Sequence, residues 1–286
     1  METEIKIIEC PRDAMQGWHD FIPTKQKIAY QNVLLQCGFD VLDFGSFVSP
    51  KAIPQMRDTA EVLNGLELSQ TQTKLLAIIA NERGALDALQ FEEIDFLGYP
   101  FSISEEFQKR NTNATIIESL HRVEEIQSLC VNNKKKLVVY LSMGFGNPYG
   151  EKWHPDLVSQ WSERLNKEMG IEILALSDTI GCANPAIVQS LFSQIIPENL
   201  SVEFGAHLHT LLENATTLIE AAYESGCRRF DGAMKGFGGC PMAKDDLTGN
   251  MPTERIISFL EGKGIRNQIV KDRLLEAESM TTTIFI

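Results

Sequence analysis

The sequence predicts a closed (β/α)8 barrel, a TIM barrel with a short C-terminal helical tail. Three observations lead there. Short β-branched apolar runs alternate with longer amphipathic stretches along the whole chain, as in successive βα units on a parallel sheet. Eight such units fit into about 260 residues, the usual extent of this barrel. The first strand runs into Pro11-Arg12-Asp13-Ala14-Met15, not into the G-x-G-x-x-G turn of an open dinucleotide-binding sheet, which leaves the doubly wound sheet as the weaker architecture.

Taken in order, the strand candidates are Ile5 to Glu9, Val41 to Phe44, Lys74 to Ala80, Ile94 to Leu97, Leu137 to Ser142, Ile171 to Leu176, Val202 to His207 and Arg229 to Asp231. All are shorter than the usual helix. Between them, helical periodicity runs over Thr24 to Gln36, Thr115 to Val131, Pro155 to Met169, Pro185 to Ile195, Glu213 to Ser225 and Thr253 to Glu261. Thr115 with Glu118 reads as a capping box, and Gly38, Gly170 and Gly226 stand where helices should stop. No proline-rich linker or low-complexity tract divides the chain, so residues 1–286 read as one catalytic domain with a C-terminal extension over about 267–286. A last helix is expected over Ile269 to Ser279. The apolar end Ile284-Phe285-Ile286 is expected to dock on the barrel or on a neighbouring subunit.

Composition narrows the function. Of 286 residues, 43% are hydrophobic and 23% charged, which suits a folded globular chain. A formal net charge of −13 argues against sequence-independent nucleic-acid binding, which relies on Lys and Arg neutralising phosphates. It permits a small anionic substrate, because one metal ion and one arginine reverse the sign locally. The longest purely apolar run, Leu75 to Ala80, is far too short to span a bilayer, so no membrane partner is expected. Six cysteines without a CxxC pair, and an apolar strand close behind Met1, point to a reduced, cytoplasmic setting without a targeting segment.

In such a barrel the reacting groups sit at the carboxyl ends of the strands. Arg12 and Asp13 follow strand one, Asp43 lies on strand two, Asp178 follows strand six, His207 and His209 belong to strand seven, and Cys240 and Asn250 follow strand eight. Residues two apart on a strand share a face, so both imidazoles can face one metal ion. Asp13 adds a carboxylate and Asn250 an amide oxygen. Two imidazoles, two oxygens and open positions suit Mg2+ or Mn2+ better than a structural zinc. Arg12 is the natural partner of a developing enolate or carboxylate oxygen, against the plainer alternative of a structural ion pair with Asp13. Cys37, Cys130 and Cys227 read as packed thiols, and Cys182 is expected to pack as well. Cys240 differs, because glycines precede it and a proline follows, and packing there gives no reason for a thiol.

These residues resemble the hydroxymethylglutaryl-CoA lyase family. The strings that carry the resemblance are Pro11-Arg12-Asp13, Ser46-Phe47-Val48-Ser49-Pro50-Lys51, Pro54-Gln55-Met56, Asp178-Thr179-Ile180-Gly181, His207-x-His209, Gly236-x-Gly238-Gly239-Cys240-Pro241 and Gly249-Asn250. The resemblance implies that Asp13, His207, His209 and Asn250 hold the divalent cation, that Arg12 stabilises an enolate, and that Cys240 moves a proton on a loop over the site. It also implies an acyl-CoA thioester substrate, a homodimer and a link to leucine degradation. In two places the chain departs from the family pattern: Asp43 stands where Glu is usual, and Thr210 follows His209 where Asp is usual. No cysteine follows Cys240, so thiol regulation from the C-terminus is not expected.

The implied reaction is retro-Claisen cleavage of 3-hydroxy-3-methylglutaryl-CoA to acetyl-CoA and acetoacetate. Asp43, Asp178 or His207 is the base, and the residues alone leave that choice open. The alternatives are a related 3-hydroxyacyl-CoA lyase with a different branched substrate, an acyl-CoA condensing synthase on the same barrel, and an inactive barrel that binds CoA thioesters as a regulator.

Overall fold

The computed structural model describes residues 4–239 and 248–286. Eight strands, β1 (Lys6–Glu9), β2 (Val41–Ser46), β3 (Lys74–Ile78), β4 (Ile94–Ser102), β5 (Lys136–Ser142), β6 (Ile173–Asp178), β7 (Glu203–Leu208) and β8 (Arg229–Gly232), form a closed barrel in sequence order. All pairs are parallel, and β1 meets β8 with Lys6 opposite Arg229 and Glu9 opposite Gly232. The strand count and order are those read from the sequence. β4 is longer than expected because pairing with β5 continues through Pro100 to Ser102.

The outer layer contains α1 (Pro11–Gln16), α2 (Thr24–Leu34), α3 (Thr59–Asn64), α4 (Glu82–Ala88), α5 (Glu105–Thr112), α6 (Ile116–Asn132), α7 (Pro155–Met169), α8 (Pro185–Glu198), α9 (Ala215–Glu224), α10 (Thr253–Gly262) and α11 (Lys271–Ile284). The capping box at Thr115 and Glu118 forms as expected. Four short helices, α1, α3, α4 and α5, were not legible, since six to eight residues are too few to show a period of 3.6. α11 runs five residues beyond the expected end and takes in Ile284. It docks on this chain's own barrel, with Ala277, Thr281 and Ile284 buried. Among the described residues no helix is long and apolar enough to cross a membrane.

Strand alternation separates two cores. Between sheet and helices lies a continuous apolar layer, while the barrel interior is filled by a smaller cluster of Ile8, Cys10, Val41, Leu76, Val138, Tyr140, Ile173 and Ala175. On the β7–β8 side the interior turns polar. Arg229 lies fully buried across Gly205, where an added Cβ would come within 3.0 Å of its Cδ. A side chain at 205 would therefore press on the arginine stem whose guanidinium faces Asp231 and Glu203.

One buried carboxyl at the end of β1 sets a pH response. Glu9 accepts the main-chain N–H of Met234 and the hydroxyl of Thr253. Burial pushes its pKa up to about 8, whereas the unfolded chain ionises near 4.5. Between these values the folded protein keeps a proton that the unfolded chain has lost, so stability falls as pH rises through that window. Glu9→Gln keeps the neutral form at every pH. Denaturant titrations should show the variant close to the parent at pH 5 and more stable than it at pH 8.5, by on the order of 3 kcal/mol. A constant difference across that range would show that Glu9 does not set this response.

Candidate active site

Proline at the first helical position starts α1 immediately after β1, which turns both Arg12 and Asp13 into the barrel mouth. The Arg12–Asp13 segment is thus a helical turn and not a loop. Arg12 Nε donates to both oxygens of Asp43 at 3.1 and 3.0 Å, Nη2 donates to Asp43 Oδ2, and Nη1 donates to Asp13 Oδ1 at 2.7 Å. Gln16, one turn on, donates to the same Asp13 oxygen at 2.6 Å. The guanidinium and both carboxylates are buried, so the pairing is charge-assisted and poorly screened. Burial alone would push Asp13 up, but Arg12 and the two histidines reverse this and hold it well below the usual carboxylate range. At Asp43 burial wins over Arg12, and its pKa is pushed up to about 6. For Arg12 burial opposes the charge, yet Asp43 and Asp13 raise its pKa further.

The second oxygen of Asp13 has a different fate. Oδ2 lies 3.8 Å from His209 Nε2 and 3.9 Å from His207 Nε2, too far for hydrogen bonds. Buried Asp13 Oδ2 and His209 Nε2 have no hydrogen-bond partner among the described residues. Donor atoms of Asp13, His207 and His209 lie within 4.8 Å of one another. Donors about 2.0–2.2 Å from a shared ion would be spaced on this scale. An orphaned carboxylate oxygen facing an orphaned imidazole nitrogen is what a cation site leaves when drawn from protein atoms alone, so these residues fit a divalent ion.

Both imidazoles are oriented from behind. His207 Nδ1 is 3.1 Å from Asp231 Oδ2, its register partner on β8, and His209 Nδ1 is 3.1 Å from the Thr179 carbonyl. Each contact places the Nδ1 proton on its acceptor and turns Nε2, as a lone pair, toward Asp13. Burial disfavours a charged His207, but its bond to Asp231 outweighs this and raises its pKa. His209 lies one residue beyond β7 and not within it. An isolated antiparallel bridge to Asn250 holds it there. Asn250 is itself buried and donates Nδ2 to the Phe237 carbonyl at 2.8 Å. That bond leaves the amide oxygen as its acceptor face. Gly238, at φ +91°, completes the wall. A Cβ there would meet Asp13 O at 2.6 Å and Asn250 Nδ2 at 2.8 Å, so only glycine allows the loop this close.

The structure gathers Arg12, Asp13, Asp43, His207, His209 and Asn250 at one mouth. Asp178 lies at the same end but is engaged elsewhere. Its oxygens accept the main-chain N–H groups of Cys182 at 3.0 Å and Ala183 at 2.8 Å, which folds the loop that presents the Thr179 carbonyl to His209. Burial raises its pKa against these two bonds. Cys240 lies outside the described residues. Cys37, Cys130 and Cys227 are buried, as expected, whereas Cys182 is exposed, a correction to its expected packing. Its sulfur stands 3.5 Å from Asp178 Oδ1 and from the Phe145 carbonyl.

Asp231, Thr179 and Gln16 escaped the sequence reading. A strand-end aspartate beside a buried histidine becomes visible only once the β7–β8 register is known. Thr210, at the position of the family aspartate, bonds its own neighbour, the Leu211 carbonyl. The task of orienting imidazoles falls to Asp231 and Thr179. A second cluster, Cys10 with His207 and Asp231, is a poorer metal site. Burial and three nearby carboxylates hold the Cys10 thiol protonated, and only a thiolate ligates well.

Comparison with known proteins places the whole chain beside one family. The HMGL-like family model matches residues 4–281. The hydroxymethylglutaryl-CoA lyase of Bacillus subtilis is 33% identical over 267 residues, 93% of this chain and 88% of that protein. Among solved structures, the HMG-CoA lyase of Brucella melitensis superimposes with a TM-score of 0.90 at 30% identity, covering 98% of both chains. An HMG-CoA lyase from Acinetobacter baumannii, in complex with coenzyme A and 3-methylmalate, gives a TM-score of 0.90 at 31% identity over 99% of this chain and 91% of that one. Likeness in sequence and fold over nearly the whole chain makes this chain a member of the hydroxymethylglutaryl-CoA lyase family of carbon–carbon lyases.

Proposed function

We propose that the mouth cleaves 3-hydroxy-3-methylglutaryl-CoA into acetyl-CoA and acetoacetate, with Asp13, His207, His209 and Asn250 holding a Mg2+ or Mn2+ ion. The observation that carries this is the orphaned pair Asp13 Oδ2 and His209 Nε2, set directly beside the Arg12 guanidinium. The coenzyme A bound by the Acinetobacter relative supports an acyl-CoA substrate. When bound, the ion supplies the Lewis acidity that lowers the pKa of the tertiary C3 hydroxyl toward neutrality.

The residues divide the remaining work. Asp43 grips the Nε–Nη2 edge of Arg12 and Asp13 takes Nη1, which leaves one N–H on Nη1 and one on Nη2 for substrate. Those donors offset the charge of the acetyl-CoA enolate as the C2–C3 bond breaks. Asp178 and Asp43 both have their oxygens hydrogen-bonded, the first to its own loop and the second to Arg12, while His207 serves as a ligand with Nδ1 tied to Asp231. Asp43 is the proton acceptor in this reading, because it holds the arginine that faces the substrate and its pKa of about 6 suits a base working near neutral pH. Cys240 returns a proton to the enolate carbon. The family likeness also supports a homodimer acting in leucine breakdown, and the unpaired cysteines support a cytosolic setting.

Purified protein with Mn2+ and 3-hydroxy-3-methylglutaryl-CoA should form acetoacetate and acetyl-CoA in equal amounts. Chelation with EDTA should lower the rate at least about a hundredfold, and added Mn2+ should restore it. Turnover that survives complete metal removal would exclude the metal role. No acetoacetate from a metal-loaded protein would exclude this substrate.

A further inference from the structure

Behind the ligands, the last residues of the chain close an aromatic cluster. The Phe285 ring stacks on Phe237, with centroids 4.3 Å apart and planes 16° from parallel, and meets Trp18 edge-on at 5.4 Å. Trp18 in turn lies edge-on to Phe237 at 6.4 Å. Three segments far apart in sequence thus meet at one point. Trp18 follows α1, which carries Arg12 and Asp13, and its N–H bonds the Met15 carbonyl at 2.9 Å. Phe237 offers its carbonyl to Asn250, and the next residue, Gly238, lies against Asp13 and Ala14.

The Phe237 segment has little stiffness of its own. Gly236, Gly238 and Gly239 all take positive φ, and three glycines in four residues give the chain wide conformational freedom and few side chains to pack. The tail, by contrast, is firmly docked. Val270 N–H bonds the Cys37 carbonyl at 2.9 Å, Glu278 pairs with Lys235 at 3.6 Å, and Phe285 is only 8% exposed. From this geometry we infer that Phe285 is a positioning residue. Its ring fixes the Phe237 main chain, and through it the Asn250 amide and the α1 turn that presents Asp13.

The inference rests on the ligand assignment above, and its first test does not. Amide hydrogen exchange of the metal-free protein should speed up at least about tenfold in Phe285→Ala over residues 236–239 and 249–251, with the β-strand amides unchanged. Phe285→Tyr should restore protection. In parallel, Mn2+ affinity measured by electron paramagnetic resonance should fall about tenfold in Phe285→Ala and recover in Phe285→Tyr. Unchanged exchange in both segments, or acceleration spread over the whole barrel, would overturn the inference. A parent protein that binds no Mn2+ would defeat the ligand assignment alone, because the exchange result still decides the role of Phe285.

Discussion

Arg12→Gln should lower kcat by about a hundred- to a thousandfold, or roughly 3–4 kcal/mol, while Mn2+ affinity changes by less than about tenfold. The expectation follows from where the guanidinium sits. It touches one oxygen of Asp13 and leaves the other, Oδ2, turned to the imidazoles, so the cation site outlives its loss. Glutamine keeps a hydrogen-bonding group but carries no charge to set against an enolate. Stability should suffer less than the loss of a buried ion pair usually implies, because Asp43, already at about 6, takes up a proton once its partner has gone. Arg12→Lys should not rescue the rate, since a single ammonium cannot hold Asp43 side-on through Nε and Nη2 while Nη1 holds Asp13. Steady-state kinetics with a Mn2+ titration would check this, and a variant within fivefold of the parent rate would remove Arg12 from the chemistry.

Asp231→Asn should weaken Mn2+ binding by about 10- to 100-fold and also lower the thermal midpoint, because buried Arg229 loses a facing charge. Carboxylate and carboxamide have nearly the same shape, so packing inside the barrel is retained. What changes is the proton. Asp231 accepts from His207 Nδ1, whereas an amide that presents its N–H there forces the proton onto Nε2 and removes the lone pair that faces Asp13. Nitrogen NMR of the His207 ring would report the exchanged tautomer directly. Unchanged metal affinity would show that His207 ligates without this support, or does not ligate.

The sequence made the barrel legible because parallel strands buried on both faces read as short β-branched runs at regular intervals. It brought the proposed ligands to notice because polar residues at the ends of apolar runs stand out from the alternation of a buried strand. Asp231 stayed hidden for the opposite reason. Its meaning depends on being level with His207 on the neighbouring strand, and register is a property of two strands together. Asp178 carried the same signal as Asp13, yet its oxygens fold a loop, since a lone carboxylate at a strand end serves either purpose. The two departures from the family pattern also resolve locally. Asp43 still reaches Arg12 despite its shorter side chain, and Thr210 is spared the orienting task because Thr179 and Asp231 perform it.

The pairing of β1 with β8 joins the two ends of the chain, and the proposed ligands lie on either side of that join. Asp13 comes from just past the first strand, His207 and His209 from the seventh, and Asn250 from beyond the eighth. A ribosome-bound chain that has released only the first six strands holds one of the four proposed ligands. Metal capture by that set would wait for the final zipping of the cylinder, the contact of longest sequence separation and the slowest to form. An ion held there would act as a staple across the seam and stabilise the zipped state in proportion to the logarithm of its free concentration.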